Sequence, residues 1–121
     1  MTTMVQSKLF MGSPRDEAED LGGGIYRTLL GYDEHLMMAK VWFDDDAVGA
    51  VHSHAHSQVT YILSGKFEVE IDGRKKVLKA GDACFIPSAK PHGSVCLEAG
   101  VLLDVFSPVR TDFLNTEAVL S

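Results

Sequence analysis

The chain has 121 residues, a formal net charge of −6 and 45% hydrophobic residues, and its length fits a single domain. The acidic balance argues against a nucleic-acid role, because phosphate binding requires a basic surface. No apolar run approaches the ~18–20 residues of a membrane span, and no apolar segment of a signal peptide follows the first methionine. We therefore expect a cytoplasmic protein with no membrane partner, in which Cys84 and Cys96 are reduced.

Short β-type runs dominate the sequence after "GGG" at 22–24, whereas the acidic segment before it looks irregular. In chain order the runs are "IYRTLLG", "HLMMAKVWF", "VTYILSG", "FEVEIDG", "KKVLKAG", "ACFIP", "GSVCLE" and "VLLDVFS". The clearest signal is "FEVEIDGRKKVL" (67–78), where apolar and acidic residues alternate and Asp72-Gly73 predicts a hairpin turn. The pattern predicts an all-β sandwich or closed barrel, and a small barrel can hold one ion or ligand.

The predicted organisation has three parts. Residues 1–24 form an N-terminal arm whose apolar stretch "MTTMVQSKLF" is expected to dock on a partner, residues 25–110 form the barrel, and residues 111–121 form a tail or a short helix. An edge strand of a small barrel also invites pairing with another chain.

Three histidines and a glutamine alternate in "VHSHAHSQVTYILSG" (51–65), at positions 52, 54, 56 and 58. Four consecutive same-face positions of a strand spread over ~20 Å, so one ion cannot collect all of them. His52 and His54 can lean toward one ion, and Gln58 joins them only if the chain turns at 55–57. That turn displaces His56, which is then expected to support the site from outside.

A further candidate ligand lies in "GDACFIPSAKPHG" (81–93), where a turn, a buried strand and a proline-stiffened loop place His92 at a defined point. The fifth histidine, His35, lies beside acidic turn residues and is expected to face solvent. Imidazole suits several transition metals alike, so these residues predict a site for Zn, Ni, Fe or Mn without choosing among them.

The sequence resembles the cupin family through two motifs. The first, H-x-H-x(3)-[E/Q]-x(6)-G, is matched by His52, His54, Gln58 and Gly65. The second, G-x(5)-P-x-G-x(2)-H, is matched by Gly81, Pro87 and His92. The resemblance implies a double-stranded β-helix, the cupin or jelly-roll barrel, with one divalent transition metal held inside it by His52, His54, Gln58 and His92.

The sequence departs from the motifs at three positions. Asp46 stands where the first motif begins with glycine, Ala89 replaces the inner glycine of the second motif, and Cys96 stands where asparagine often follows. These differences concern turn geometry more than ligation, so the predicted site is unaffected.

The run "VLLDVFSPVR" (101–110) supplies further chemistry. Asp104 and Phe106 lie two apart on one face of a strand, and an aspartate in a buried strand is costly unless it is paired or functional. Arg110 follows Ser107-Pro108 and can return over the barrel mouth as a carboxylate clamp. Structural roles are open for each: a turn cap for Asp104, the core for Phe106 and the surface for Arg110.

Within the cupins, the segments "LMMAKVWF", "VHSHAHSQVTY" and "LLDVFSPVRTDFL" resemble the KdgF group, the small cupins of pectin and alginate breakdown. That resemblance implies a homodimer that opens 4,5-unsaturated monouronates to the linear 4-deoxy-5-hexosulose-uronate, with Asp104, Phe106 and Arg110 lining the substrate site. Three imidazoles and a neutral amide leave the ion's charge uncancelled, which favours such an anionic sugar acid. Two alternatives are a cupin dioxygenase using Fe(II) and O2, and a non-enzymatic domain that binds or senses a sugar acid.

Overall fold

Eight β-strands make up the fold of residues 5–114, the part of the chain that the computed structural model describes. They are β1 (Glu19–Gly22), β2 (Ile25–Tyr32), β3 (Met37–Phe43), β4 (Val48–His52), β5 (Ser57–Ile71), β6 (Arg74–Lys79), β7 (Ala83–Ile86) and β8 (His92–Ser107). One-turn 3-10 helices cover Arg15–Glu17 and Thr111–Phe113. The remainder of the expected terminal helix, 115–120, lies outside the described residues.

Two long strands, β5 and β8, organise the barrel by belonging to two sheets at once. They pair with each other antiparallel along almost their whole length. The first half of β5 also pairs with β7 and its second half with β6. Likewise, the first half of β8 pairs with β4 and its second half with β3, which continues to β2 and β1. The predicted all-β cupin barrel, a jelly roll, is confirmed.

The sequence runs "VTYILSG" and "FEVEIDG" were predicted to be separate, but both belong to β5. Gly65 lies between them with φ of +83°, and the β5–β8 register shifts around it. A Cβ atom at Gly65 would lie 2.6 Å from the carbonyl oxygen of Glu98, so only glycine permits this close approach. The glycine bends the strand from one sheet into the other without ending it. The runs "GSVCLE" and "VLLDVFS" are joined in the same way as β8.

Two of the eight strands, β1 and β4, were not predicted from the sequence pattern. β1 lies in the segment that was expected to be irregular, and β4 has the sequence "VGAVH", with four of its five residues exposed. Neither has the apolar face that identifies a half-buried strand. The predicted hairpin at Asp72-Gly73 is confirmed, because both residues adopt positive φ between the paired Ile71 and Arg74, as a two-residue turn requires.

The core forms where the two sheets face each other. Alternate side chains of β3 point inward, and Phe43 packs edge-to-face on Phe67 of β5 with ring centroids 5.1 Å apart. Next to this core, the inner faces leave a cavity of about 200 Å³. No helix in the described part of the chain is long and apolar enough to cross a membrane.

Candidate metal centre

Three imidazoles meet at one side of this cavity. His52 ends β4 and His92 begins β8, and the two are direct cross-strand partners, whereas His54 lies just beyond β4. One ring nitrogen from each lies within 4.8 Å of the other two. His52 is exposed, His54 half-buried and His92 buried, so the cluster runs from solvent into the barrel.

The backbone orients all three rings in the same way. The Nδ1 atom of each lies 2.9–3.0 Å from a carbonyl oxygen two residues away, that of Ala50, His56 or Lys90. This contact selects the tautomer with the proton on Nδ1 and leaves the Nε2 lone pair for the centre. Support of this kind is typical of metal-binding histidines.

Gln58, which begins the buried part of β5, brings an amide to the same point. Its Oε1 atom lies 3.0 Å from Nε2 of His54, whose Nδ1 proton is already donated to a carbonyl. Burial, with the nearby charge of Arg110, lowers the pKa of His54, so the ring is neutral at neutral pH. Oε1 of Gln58 and Nε2 of His54 therefore face each other with their lone pairs, and a cation bound to both atoms would make this arrangement favourable.

The imidazole of His92 also indicates a metal site. Nε2 of His92 is buried and has no hydrogen-bond partner among the described residues. Burial also lowers the pKa of His92, which keeps the ring neutral and able to offer a lone pair. An unpaired buried acceptor is costly, and a metal ion would satisfy it. The donor set of three imidazoles and an amide oxygen thus fits a metal ion, and the four predicted metal ligands are brought together.

The other two histidines lie outside this set. The chain bends at Ala55–His56, as predicted, and Nε2 of His56 approaches the carbonyl oxygen of Val109 at 3.1 Å. His56 therefore supports His54 through its own carbonyl and ties the bend to the chain after β8. His35 is exposed in the turn before β3, as expected.

Asp104 lies beside the amide, directly across the β5–β8 ladder from Thr60. Its Oδ1 atom accepts a hydrogen bond of 2.6 Å from the Thr60 hydroxyl and one of 3.0 Å from Nε2 of Gln58. Burial raises the pKa of Asp104 to about 6, although these two hydrogen bonds oppose the rise. Thr60 was not among the site residues predicted from the sequence, although its position two residues after Gln58 on the same strand face could have revealed it.

Arg110 lines the same cavity. Its side chain is buried, and Nε and an Nη atom donate to the two carboxylate oxygens of Asp112 at 3.0 and 2.7 Å. The guanidinium carbon lies 4.2 Å from the ring centroid of Phe113 and 5.1 Å from that of Phe106. Phe106 in turn packs edge-on against His54, at 5.8 Å between centroids. All three predicted substrate-site residues, Asp104, Phe106 and Arg110, therefore line one cavity.

Tyr61 lies away from the site. It follows Thr60 on β5, so its side chain points to the outer face of the barrel, where 43% of its surface is exposed. The strand alternation therefore excludes this tyrosine from both the core and the cavity lining.

The two residues that replace glycine in the cupin motifs keep a backbone conformation that glycine favours. Asp46 and Ala89 have φ of 65° and 67°, within the left-handed region. Aspartate tolerates this region, whereas alanine is strained there. Ala89 nevertheless donates its backbone N–H to the carbonyl oxygen of His54 at 2.8 Å, which connects the His92 loop to the other histidines.

A barrel of two antiparallel sheets around a three-histidine site defines a cupin. The cupin-domain family model matches residues 42–106, more than half of the chain, and the chain therefore belongs to the cupin family. Among curated proteins it is similar to the pectin degradation protein KdgF of Dickeya dadantii, with 47% identity over 98 residues that cover 79% of this chain and 89% of the relative.

Two solved structures are similar to the whole barrel. One is an RmlC-like cupin from Shewanella frigidimarina, with a TM-score of 0.83 and 49% identity, covering 91% of this chain and 99% of that one. The other is KdgF from a Halomonas species, with a TM-score of 0.77 and 41% identity, covering 82% of this chain and 95% of that one.

Proposed function

We propose that this protein is a metal-dependent enzyme that opens the ring of 4,5-unsaturated monouronates and yields linear 4-deoxy-5-hexosulose-uronate. The observation that carries the proposal is that Asp104 lines one cavity of about 200 Å³ with His52, His92 and Arg110, and that Gln58 joins it to His54. Drug-sized ligands usually occupy ~300–1,000 Å³, so this volume suits a smaller molecule such as a single sugar ring. The similarity to a pectin degradation protein supports a substrate of this class.

The reaction needs only proton transfers. The substrate is a cyclic enol ether and also a hemiacetal. When the C1 hydroxyl loses its proton, C1 becomes an aldehyde, the bond from C1 to the ring oxygen breaks, and the ring oxygen keeps the electron pair as an enolate on C5. A proton added at C4 then converts the enolate into the C5 ketone. Atoms and electrons balance without an oxidant or a reductant.

Asp104 is the residue suited to move these protons. Thr60 and Gln58 both donate to Oδ1, which leaves Oδ2 of Asp104 for the substrate hydroxyl. As a general acid–base group it would take the proton from the C1 hydroxyl and deliver one to C4. Its enclosed position keeps bulk water from competing for that proton.

Arg110 and Phe106 hold the substrate in place. The guanidinium of Arg110 offers charge-assisted hydrogen bonds to the uronate carboxylate, and the ring of Phe106 gives an apolar surface against one face of the sugar. His52, His54, His92 and Gln58 would hold one divalent metal. When bound, that metal supplies Lewis acidity that polarises substrate oxygens.

The test follows the alkene absorbance of a lyase-generated unsaturated uronate. Wild type, Asp104→Ala and Arg110→Ala are compared with spontaneous opening, and His35→Ala is the control because His35 is exposed outside the site. We expect acceleration by wild type and by the control, and a large loss in the two site variants. A wild-type rate equal to the background would reject the assignment.

An oxygen electrode separates this reaction from a dioxygenase. We expect the same rate under anaerobic conditions and with zinc in place of iron. Activity that depends on iron and consumes oxygen would instead establish the dioxygenase, and tight uronate binding without turnover would establish the sensing domain.

Homodimerisation is a further part of the proposal. Leu9 and Phe10 of the N-terminal arm are 79% and 89% exposed, although Gln6 and Ser7 are already attached to the end of β2. We propose that this apolar tip contacts a second copy. Light scattering should give twice the chain mass, and Phe10→Asp should shift it toward the monomer.

A further inference from the structure

Besides Arg110, three cationic side chains are candidates for a contact with an anionic ligand: Arg27, Lys40 and Lys90. Lys40 lies on the outer face of β3, where Nζ contacts the Ser13 hydroxyl at 3.2 Å and lies 5.1 Å from the centroid of Trp42. Nζ of Lys90 lies 3.7 Å from Oδ2 of Asp72, and half of the side-chain surface of Lys90 is exposed. Neither of them lines the cavity beside the histidines.

Arg27 does line that cavity. It is the cross-strand partner of Val41, an inward-facing and buried residue of β3, so its side chain enters the barrel. Only 13% of the side-chain surface remains exposed. The guanidinium carbon lies 3.9 Å from the ring centroid of Phe113, the same ring that Arg110 contacts at 4.2 Å.

The hydrogen bonds of the two arginines differ. Arg110 uses both Nε and one Nη atom on Asp112, whereas Arg27 uses one Nη atom on Glu19, at 3.0 Å. Nε of Arg27 is buried and has no partner among the described residues. Buried donors in native proteins are almost always paired, so this Nε–H calls for a partner such as a water, an ion or a ligand.

The charges also favour an anion at this position. Two guanidiniums share one aromatic ring, and their partner carboxylates, on Glu19 and Asp112, are 56% and 59% exposed on the solvent side. Water screens these exposed carboxylates, so they only partly offset the positive charge of the two buried guanidiniums. A ligand carboxylate beside Arg27 would complete the neutralisation and accept a hydrogen bond from the unpaired Nε–H.

We propose that Arg27 is a substrate-positioning residue and that its Nε–H donates a hydrogen bond to the carboxylate of the sugar acid. Arg27 and Arg110 then form a two-arginine clamp supported by Phe113. This inference rests on the proposed function, and it assigns to Arg27 a role in binding, not in proton transfer.

The experiment compares Arg27→Met and Arg27→Lys with wild type. Methionine retains a long apolar side chain over Phe113 and removes every donor, and lysine retains the charge without the Nε–H. The control is Arg15→Gln, which removes a guanidinium that lies 3.5 Å from the ring of Tyr26 and does not line the cavity. KM, kcat, the inhibition constant of D-galacturonate, metal content and Tm are measured for each.

We expect KM and the galacturonate inhibition constant to rise about 10- to 100-fold in Arg27→Met, as for the loss of a charge-assisted hydrogen bond. Arg27→Lys should show a smaller rise in both, while kcat and metal content remain close to wild type and Arg15→Gln is unchanged. Unchanged KM and inhibition constant in Arg27→Met would overturn the inference, and so would a fall in kcat alone.

Calorimetry separates a failure of the inference from a failure of the proposed function. It titrates D-galacturonate, and uncharged D-galactose in parallel, into the metal-loaded wild type and Arg27→Met. If wild type fails to accelerate ring opening, a selective loss of galacturonate affinity in Arg27→Met still supports the clamp. Equal affinities in the two proteins reject the clamp, even if wild type is active.

Discussion

Nε2 of Gln58 donates a hydrogen bond of 3.0 Å to Oδ1 of Asp104. Because the other end of the same amide lies 3.0 Å from Nε2 of His54, one side chain joins the metal site to the buried carboxylate. A glutamate here could coordinate a metal equally well, but it would face Asp104 with an acceptor in place of a donor. The neutral amide is therefore required by the hydrogen bond to the Asp104 carboxylate, and not by the metal.

Gln58→Glu tests this double role. We expect metal content to be retained, since a carboxylate is also a metal ligand, and ring opening to slow by at least about tenfold, since two neighbouring carboxylates disfavour the ionised state. Metal analysis and the alkene absorbance check the two effects separately. Wild-type activity in a fully metal-loaded variant would contradict the prediction.

The Thr60 hydroxyl supports Asp104 and can be removed with little change in shape. Thr60→Val removes the 2.6 Å hydrogen bond to Asp104 together with the one of 2.9 Å that the hydroxyl accepts from Nε2 of Gln58. Loss of a hydrogen bond to a charged group costs about 1.5–3 kcal/mol, so we expect kcat to fall by about 10- to 100-fold. Thr60→Ser is the matched control and should retain most of the activity. If the valine and serine variants are equally active, the hydroxyl does not support Asp104.

Metal removal should lower the stability of the fold. Binding to the folded chain alone adds about 2.7 kcal/mol when the free ion is at 100 times its Kd. Chelation should therefore lower Tm, and adding Zn, Ni, Fe(II) or Mn should restore it for the ions that bind. His92→Ala should abolish the response, whereas His35→Ala should keep it, because His35 lies outside the cluster. Identical Tm values with and without chelator would argue against a bound metal.

Ala89→Gly should stabilise the protein. The left-handed φ of 67° costs an alanine about 1–2 kcal/mol that glycine does not incur, and the greater freedom of glycine in the unfolded chain offsets part of the gain. We expect a gain of up to about 1 kcal/mol in the free energy of unfolding, measured by urea denaturation. Ala80→Gly is the control, because this exposed turn alanine lacks a positive φ and its change should destabilise. Equal effects at the two sites would contradict the argument.

Cys84 should resist thiol reagents. Burial raises its pKa to about 11, so almost none of it is thiolate at pH 8. We expect slow reaction with a disulfide reagent in the folded protein and rapid reaction in guanidinium. Because the folded-state pKa exceeds the unfolded value, the contribution of Cys84 to stability is intact below about pH 9 and is lost as the pH rises toward 11. Rapid labelling at pH 8 would show that the thiol is accessible and ionised.

The β-strands and the His52–His54 pair were within reach of the sequence because they depend on local spacing, whereas the jelly-roll barrel and the addition of His92 were implied by the resemblance to the cupins. The alternation around Phe67 and the turn at Asp72-Gly73 define a hairpin that needs no distant contact. The requirement that Gln58 join His52 and His54 predicted the bend that the structure has. For these features, strand geometry and the need to reach one ion allow only a few arrangements of the chain.

Other features depend on pairing that no local pattern encodes. A glycine such as Gly65 ends a strand in most contexts, and only the close approach of Glu98 shows that it bends one here. β1 is recognisable only through its partner β2, since its own residues are exposed. Likewise, Arg27 enters the cavity because it is registered with Val41 across the ladder.

The sharing of β5 and β8 between both sheets has a consequence for how the molecule loses its structure. Loss of the whole of either strand removes backbone partners from both sheets, so neither sheet is expected to survive as a separately folded piece. The ends of β4 and β8 that carry His52 and His92 then unfold together with both sheets. The protein should therefore unfold in one cooperative step.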